Sequence, residues 1–253
     1  MRVKNNRCFI KAFCYGFCVL LILFSCQSKA DNEAIFKSHF KSNDGNVTSI
    51  GAQYWSNSLQ DWYISDNRLE CLVSDDYRNI YLLSRRLNKQ EGYLEMKVRL
   101  GFFNKDVSYL NNNWAGFSIG SKRKLNDDND NTTLSDGINL GVCTNGTLFI
   151  GEPSPNHKNQ DVLQVLDKGV DLKVNISFVE GSYIIDLSLS NIETGKILAN
   201  ISKKNVSQKL LSEGSLVLVS NFENTERNKV NRTKSVWFKD WEIKGTKLTR
   251  VEK

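Results

Sequence analysis

The chain has 253 residues, 40% of them hydrophobic and 25% charged, and a formal net charge of +6. Four of the positives, Arg2, Lys4, Arg7 and Lys11, stand near the start, so the remainder keeps 30 basic and 28 acidic groups, a net of +2. That balance gives little support to nucleic-acid binding, which wants a concentrated basic stripe, and no nucleic-acid partner is expected.

The first segment is a basic head followed by an apolar run. Between Cys8 and Cys26 only Lys11 is charged, and the strongly apolar stretch 12–24 is about 13 residues long. A membrane-spanning helix needs roughly 20. Basic head, short apolar core and Ser25 before Cys26 together resemble the signal peptide and lipobox of a bacterial lipoprotein. The resemblance implies that 1–25 is a signal peptide and that the Cys26 sulfur carries a diacylglycerol. The membrane would then be a partner through this lipid, and the protein would sit in the bacterial cell envelope, on the inner or outer membrane. Phe24 is bulkier than the residue usual there, and an uncleaved signal anchor or a plain secretory signal are the alternatives. Residues 26–49 read as a lipidated N-terminus and a polar, flexible tether.

Short β-branched and aromatic runs then recur between Gly, Asn and Asp. Trp62–Ile64 and Arg68–Val73 flank a turn at Ser65-Asp66-Asn67. Asn79–Ser84 is a strand. Tyr93–Leu100 alternates strictly, with Glu95, Lys97 and Arg99 on a wet face and Leu94, Met96, Val98 and Leu100 on a buried one. Trp114–Gly120 and Gly137–Cys143 follow, and Asn145-Gly146 turns the chain into Thr147–Ile150, the strongest hairpin signal. Val170–Phe178 and Tyr183–Ser190 form a second hairpin around Glu180-Gly181-Ser182. Lys196–Ser202, Leu216–Ser220 and Val236–Ile243 complete the set, and 205–213 has room for one helical turn. Residues 122–136 and 152–161 read as long surface loops, the latter holding both prolines. This pattern predicts an all-β fold of two packed antiparallel sheets.

Once the leader's Cys8, Cys14 and Cys18 and the lipid-bearing Cys26 are set aside, Cys71 and Cys143 remain. A disulfide and two buried thiols are both compatible with their strand positions. No CxxC pair exists, which excludes a zinc ribbon.

Several segments carry a further resemblance. Asp61–Glu70 has the W-x-[IV]-x-[DN]-G-x-L look of the opening of concanavalin A-like lectin/glucanase domains, and Gly92–Arg99 is similar to the G-x-[FL]-E-x-x-[VI]-R strand that follows it. Trp114–Gly120, Gly146–Gly151 and Ser235–Ile243 extend the likeness across about residues 50–245. Together they resemble the lectin-like domain ahead of the phosphatase domain in PhoD-like metallophosphatases of Bacteroidetes-type bacteria. The resemblance implies a concanavalin A-like jelly-roll β-sandwich over 50–247, with a tail at 248–253. It also implies that the first and last strands lie side by side, consistent with the matching tetrads Asp61-Trp62-x-Ile64 and Asp240-Trp241-x-Ile243.

Residue types argue against three active sites. A dinuclear phosphatase centre needs several His and Asp, but beyond the leader only His39 and His157 occur. Glucanases of this fold carry E-x-D-x-E on one strand, which aims three carboxylates into a cleft. That triplet is absent, Glu91 sits at a turn and Glu95 on a wet face. A Ser-His-Asp set has only the loop residue His157 to draw on. The chain is therefore read as more a binding module than an enzyme, with no catalytic residue assigned. A lectin-fold hydrolase of keto-disaccharides and a truncated phosphatase accessory domain are the alternatives.

For binding, a sugar stacks on an aromatic face while Asn or Asp bonds its hydroxyls. The glycan-contact candidates are Trp55, Tyr109, Asn111, Asn113 and Trp114. Trp62, Trp114, Trp237 and Trp241 lie in strands, where the competing role is core packing. The acidic loop 126–131 is foremost a solvated loop. No cofactor is required, and calcium is the ion this loop would suit, through Asp127, Asp128 and Asp130.

Overall fold

A computed structural model describes residues 35–38, 40–41, 50–103, 113–122, 137–153, 157–222 and 235–251. The strand-forming runs pair into two antiparallel sheets. In the larger, the order is β12 (Ile197–Val206), β11 (Ser182–Asn191), β10 (Val170–Val179), β6 (Leu94–Phe102), β14 (Val236–Lys244), β4 (Arg68–Cys71) and β3 (Trp62–Ser65), with β1 (Phe36–Lys37) also on β14. In the smaller it is β15 (Leu248–Arg250), β5 (Arg78–Leu87), β13 (Gly214–Asn221), β7 (Trp114–Ser121), β8 (Ile138–Cys143) and β9 (Leu148–Ile150), with β2 (Tyr54–Ser56) on β5.

The core lies between the sheets because their inward faces are apolar at every second residue. Leu94, Met96, Val98 and Leu100 of β6 meet Ile176, Val174, Leu172 and Val170 of β10 in register, and all eight are buried. Burying each such side chain contributes about 1.5–3 kcal/mol. The turns follow from local chemistry. Asp66 and Asn67 both take positive φ, 52° and 58°, the geometry that joins β3 to β4 without splaying them. At the β8–β9 turn, Gly146 (φ 81°) donates its N–H to the Cys143 carbonyl, and the Asn145 side chain accepts from Thr147.

β14 contains a bulge that resets its alternation. Phe238 faces the core, and Asp240 then takes φ 53° while the register with β6 shifts between Lys239 and Glu242. One extra residue moves Trp241 and Ile243 into the core in place of Asp240 and Glu242.

Several expectations need amendment. Part of the supposed tether is structural: Phe36 and Phe40 are buried, and Phe36 packs edge-on against Trp241 at 5.8 Å between ring centroids. The supposed tail supplies β15, whose Leu248 pairs with Leu87. The loop at 152–161 runs into a short helix, α1 (Gln160–Leu163), started by the Asn159 side chain accepting from Val162 N–H. The turn expected within 205–213 is the 3-10 turn Gln208–Leu211. The matching tetrads are not neighbours: β4 lies between β3 and β14, because the tight Asp66-Asn67 turn folds β4 back first. The strands that flank the second tetrad are β6 on one side and β1, through Phe36 and Ile243, on the other.

Candidate functional site

The outward face of the smaller sheet carries two of the aromatic candidates, Trp55 and Trp114. Strand alternation sends Ala115, Phe117 and Ile119 into the core and leaves Trp114, Gly116 and Ser118 on the other side. Register then builds two rows across the strands. One runs Trp55, Tyr81, Val217, Ser118, Asn139, and the next runs Asn79, Val219, Gly116, Gly141, Phe149. Trp55 lies 5.2 Å from Tyr81 and Trp114 lies 5.0 Å from Phe149, ring centroid to centroid. With Cys143, Val217 and Val219 they form an apolar cluster separate from the core.

Polar atoms sit among these rings without partners. Both amide atoms of Asn79, the Ser118 hydroxyl and Oδ1 of Asn139 are buried and make no hydrogen bond among the described residues. An unmet buried group of this kind costs about 1–3 kcal/mol.

Of the five glycan-contact candidates, the structure brings Trp55, Asn113 and Trp114 to this sheet. Trp55 is half-buried, whereas Trp114 and Asn113 are each 2% exposed. Trp114 is thus packed against Phe149 and offers no open stacking platform. Tyr109 and Asn111 lie outside the described residues, as do Cys26, Asp127, Asp128 and Asp130. Among the described residues no cluster of three or more His, Cys, Asp or Glu is placed to hold a metal. Of the tryptophans weighed as core, Trp62 and Trp241 are in it. Trp237 instead lies on the outward face of the larger sheet, over Gly101 and Gly169, with the Arg68 guanidinium 5.1 Å above its ring.

That outward face of the larger sheet is a charge ladder. Glu95 bridges Lys173 at 3.2 Å and Lys244 at 3.3 Å, and Asp171 bridges Lys97 at 2.9 Å and Arg99 at 3.0 Å. Burial pushes the Glu95 carboxyl up, but the two lysines together outweigh it and hold the group below its ordinary range. A carboxylate so neutralised is a poor proton donor, which agrees with the wet-face reading of Glu95.

The two remaining thiols cannot meet. Cys71 points into the core and Cys143 onto the opposite side of the smaller sheet, and both are free. Burial pushes Cys71 up to about 12 and Cys143 up to about 11.

A second surface lies at the seam where β9, the edge of the smaller sheet, approaches β12, the edge of the larger. With α1 these strands line a shallow depression, open to solvent, of about 760 Å³. The sequence missed it because its walls come from three separate segments. It also missed Tyr81, Phe149, Asn79 and Ser118, although the phase of alternation in β5 and β7 marks them as facing away from the core.

The architecture is that of a concanavalin A-like jelly-roll sandwich, and solved structures of this class superpose on it. Arcelin-5, a lectin-like defence protein from Phaseolus vulgaris, matches with a TM-score of 0.55 at 9% identity, over 84% of this chain and 98% of its own. Lectin II from Ulex europaeus gives 0.51 at 11%, over 84% and 98%. An endo-1,3-beta-glucanase from Streptomyces sioyaensis gives 0.51 at 9%, over 86% and 98%. No family model and no curated protein matches the sequence. At such identities the likeness defines the fold alone.

Proposed function

We propose that this protein is a glycan-binding module presented at the bacterial cell envelope by a lipid on Cys26. The observation that carries the binding reading is the row Trp55–Tyr81–Val217–Ser118–Asn139. It sets the half-buried Trp55 ring beside polar atoms that lack partners among the described residues, the pairing that sugar recognition uses. Saccharide hydroxyls entering from the half-buried ends at Trp55 and Asn139 would supply the missing hydrogen bonds. Lectin and glucanase neighbours support the same reading at the level of fold. An accessory role beside a phosphatase is the finer form suggested by the sequence resemblance, and calcium at Asp127, Asp128 and Asp130 is its proposed ion.

A glycan array probed with the full chain in detergent tests the reading. Binding is expected, and Trp55→Ala is expected to abolish it. Ser118→Ala should weaken it several-fold without lowering the melting temperature, because the hydroxyl it removes makes no bond in the free protein. Binding that survives both substitutions would exclude this face, and silence across the array would exclude the function. Metabolic labelling with a radiolabelled fatty acid tests the anchor: label lost in Cys26→Ser supports it, and label retained removes it.

A further inference from the structure

We infer that the seam cleft is a second binding site, one that takes a neutral polyhydroxylated ligand the size of a mono- or disaccharide. This goes beyond the proposal for the outward face of the smaller sheet, since it concerns another surface and stands even if that face binds nothing.

Three features carry it. First, the walls are held in place independently of any ligand. Val162 of α1 is fully buried, and Asn159 donates its N–H to the Asn145 carbonyl at 3.1 Å. Gly146 lets that approach happen: a Cβ there would stand 2.6 Å from the Asn159 carbonyl oxygen. Thr147 closes the turn by donating its hydroxyl to the Asn145 side chain at 2.6 Å.

Second, the polar groups that face the cleft are unspent. The side chains of His157, Gln160, Asp161 and Asn200 are exposed and, among the described residues, make no hydrogen bond or ion pair. They present two amides, a carboxylate and an imidazole within one depression. Beside them Leu148 and Ile201 offer apolar surface, so a ring with hydroxyls on its edge and C–H groups on its face fits both walls.

Third, the charge selects the class. Among the described residues of the lining, Lys158 and Asp161 are the charged ones, and their formal charges cancel. A phosphorylated or acidic ligand would meet no net attraction, whereas a neutral polyol gains hydrogen bonds without burying an unmatched charge. The depression, about 760 Å³ and open to solvent, has room for one or two sugar rings lying against its walls.

Saturation-transfer NMR on the full chain in detergent tests this. The probes are glucose, galactose, mannose, cellobiose, lactose and maltose, with glucuronic acid and glucose 6-phosphate as charged counterparts. At least one neutral sugar should bind, and Asn200→Ala and Gln160→Ala should each weaken it five-fold or more. Both residues are exposed, so circular dichroism and melting temperature should stay unchanged. Trp55→Ala and Ser118→Ala should leave this binding intact. Tighter binding of the two charged sugars would overturn the inference, as would no binding of any neutral one. Loss on Trp55→Ala with none on Asn200→Ala would also overturn it, while leaving the aromatic face as the site.

Discussion

Single residues hold much of this molecule's specificity. Gly101 lies under Trp237, where a Cβ would stand 2.5 Å from the indole ring. Gly101→Ala is therefore expected to cost about 1–3 kcal/mol in urea unfolding. Pairing it with Trp237→Leu should recover part of that loss, since the clash then disappears. Glu95 gives a pH signature. Its pKa is lowered in the folded state, so its contribution is present above the unfolded carboxylate range and is lost as pH falls through the folded value. Glu95→Gln should cost about 0.5–1 kcal/mol at pH 7 and almost nothing at pH 2, read from denaturation at both. The thiols make a third case. With Cys71 near 12 and Cys143 near 11 and both side chains buried, neither should be alkylated at pH 8 until the protein unfolds, as mass spectrometry would reveal.

At the scale of elements, long alternating strands were legible and short ones were not. Tyr93–Leu100 announces itself through four apolar residues at every second position, and Asn145-Gly146 and Glu180-Gly181 mark their hairpins through turn chemistry. β1 and β15 are two and three residues long, too short for any period, and exist because β14 and β5 offer them edges. The order β14–β4–β3 was hidden for a related reason: a two-residue turn decides it, whereas the tetrads compared the wrong pair of strands. The site was half legible. Trp55 and Trp114 stood out as residue types, yet which side of a strand each occupies depends on the phase set by Ala115, Phe117 and Ile119. The seam cleft was not legible, because 147–148, 157–161 and 199–201 meet only after both sheets have formed. The bulge in β14 offers a test at this scale. Asp240→Val places a β-branched residue at φ 53° and should destabilise the fold by about 1–2 kcal/mol in thermal unfolding, with Asp240→Gly nearly neutral.

For the whole molecule, the sandwich depends on both extremities of the described chain. Phe36→Ala removes a buried ring that packs on Tyr54 and Trp241, and should cost about 3–5 kcal/mol by chemical denaturation. β1 also changes what an anchor at Cys26 would mean. A leash lasting until residue 50 would let the domain roam about 80 Å from the bilayer. With Phe36 already stitched to Ile243, only nine residues separate the lipid from the sheet, a reach of about 35 Å at full stretch. The protein would then work as a low-lying fixture, sampling what arrives at the membrane surface and out of range of anything much farther away.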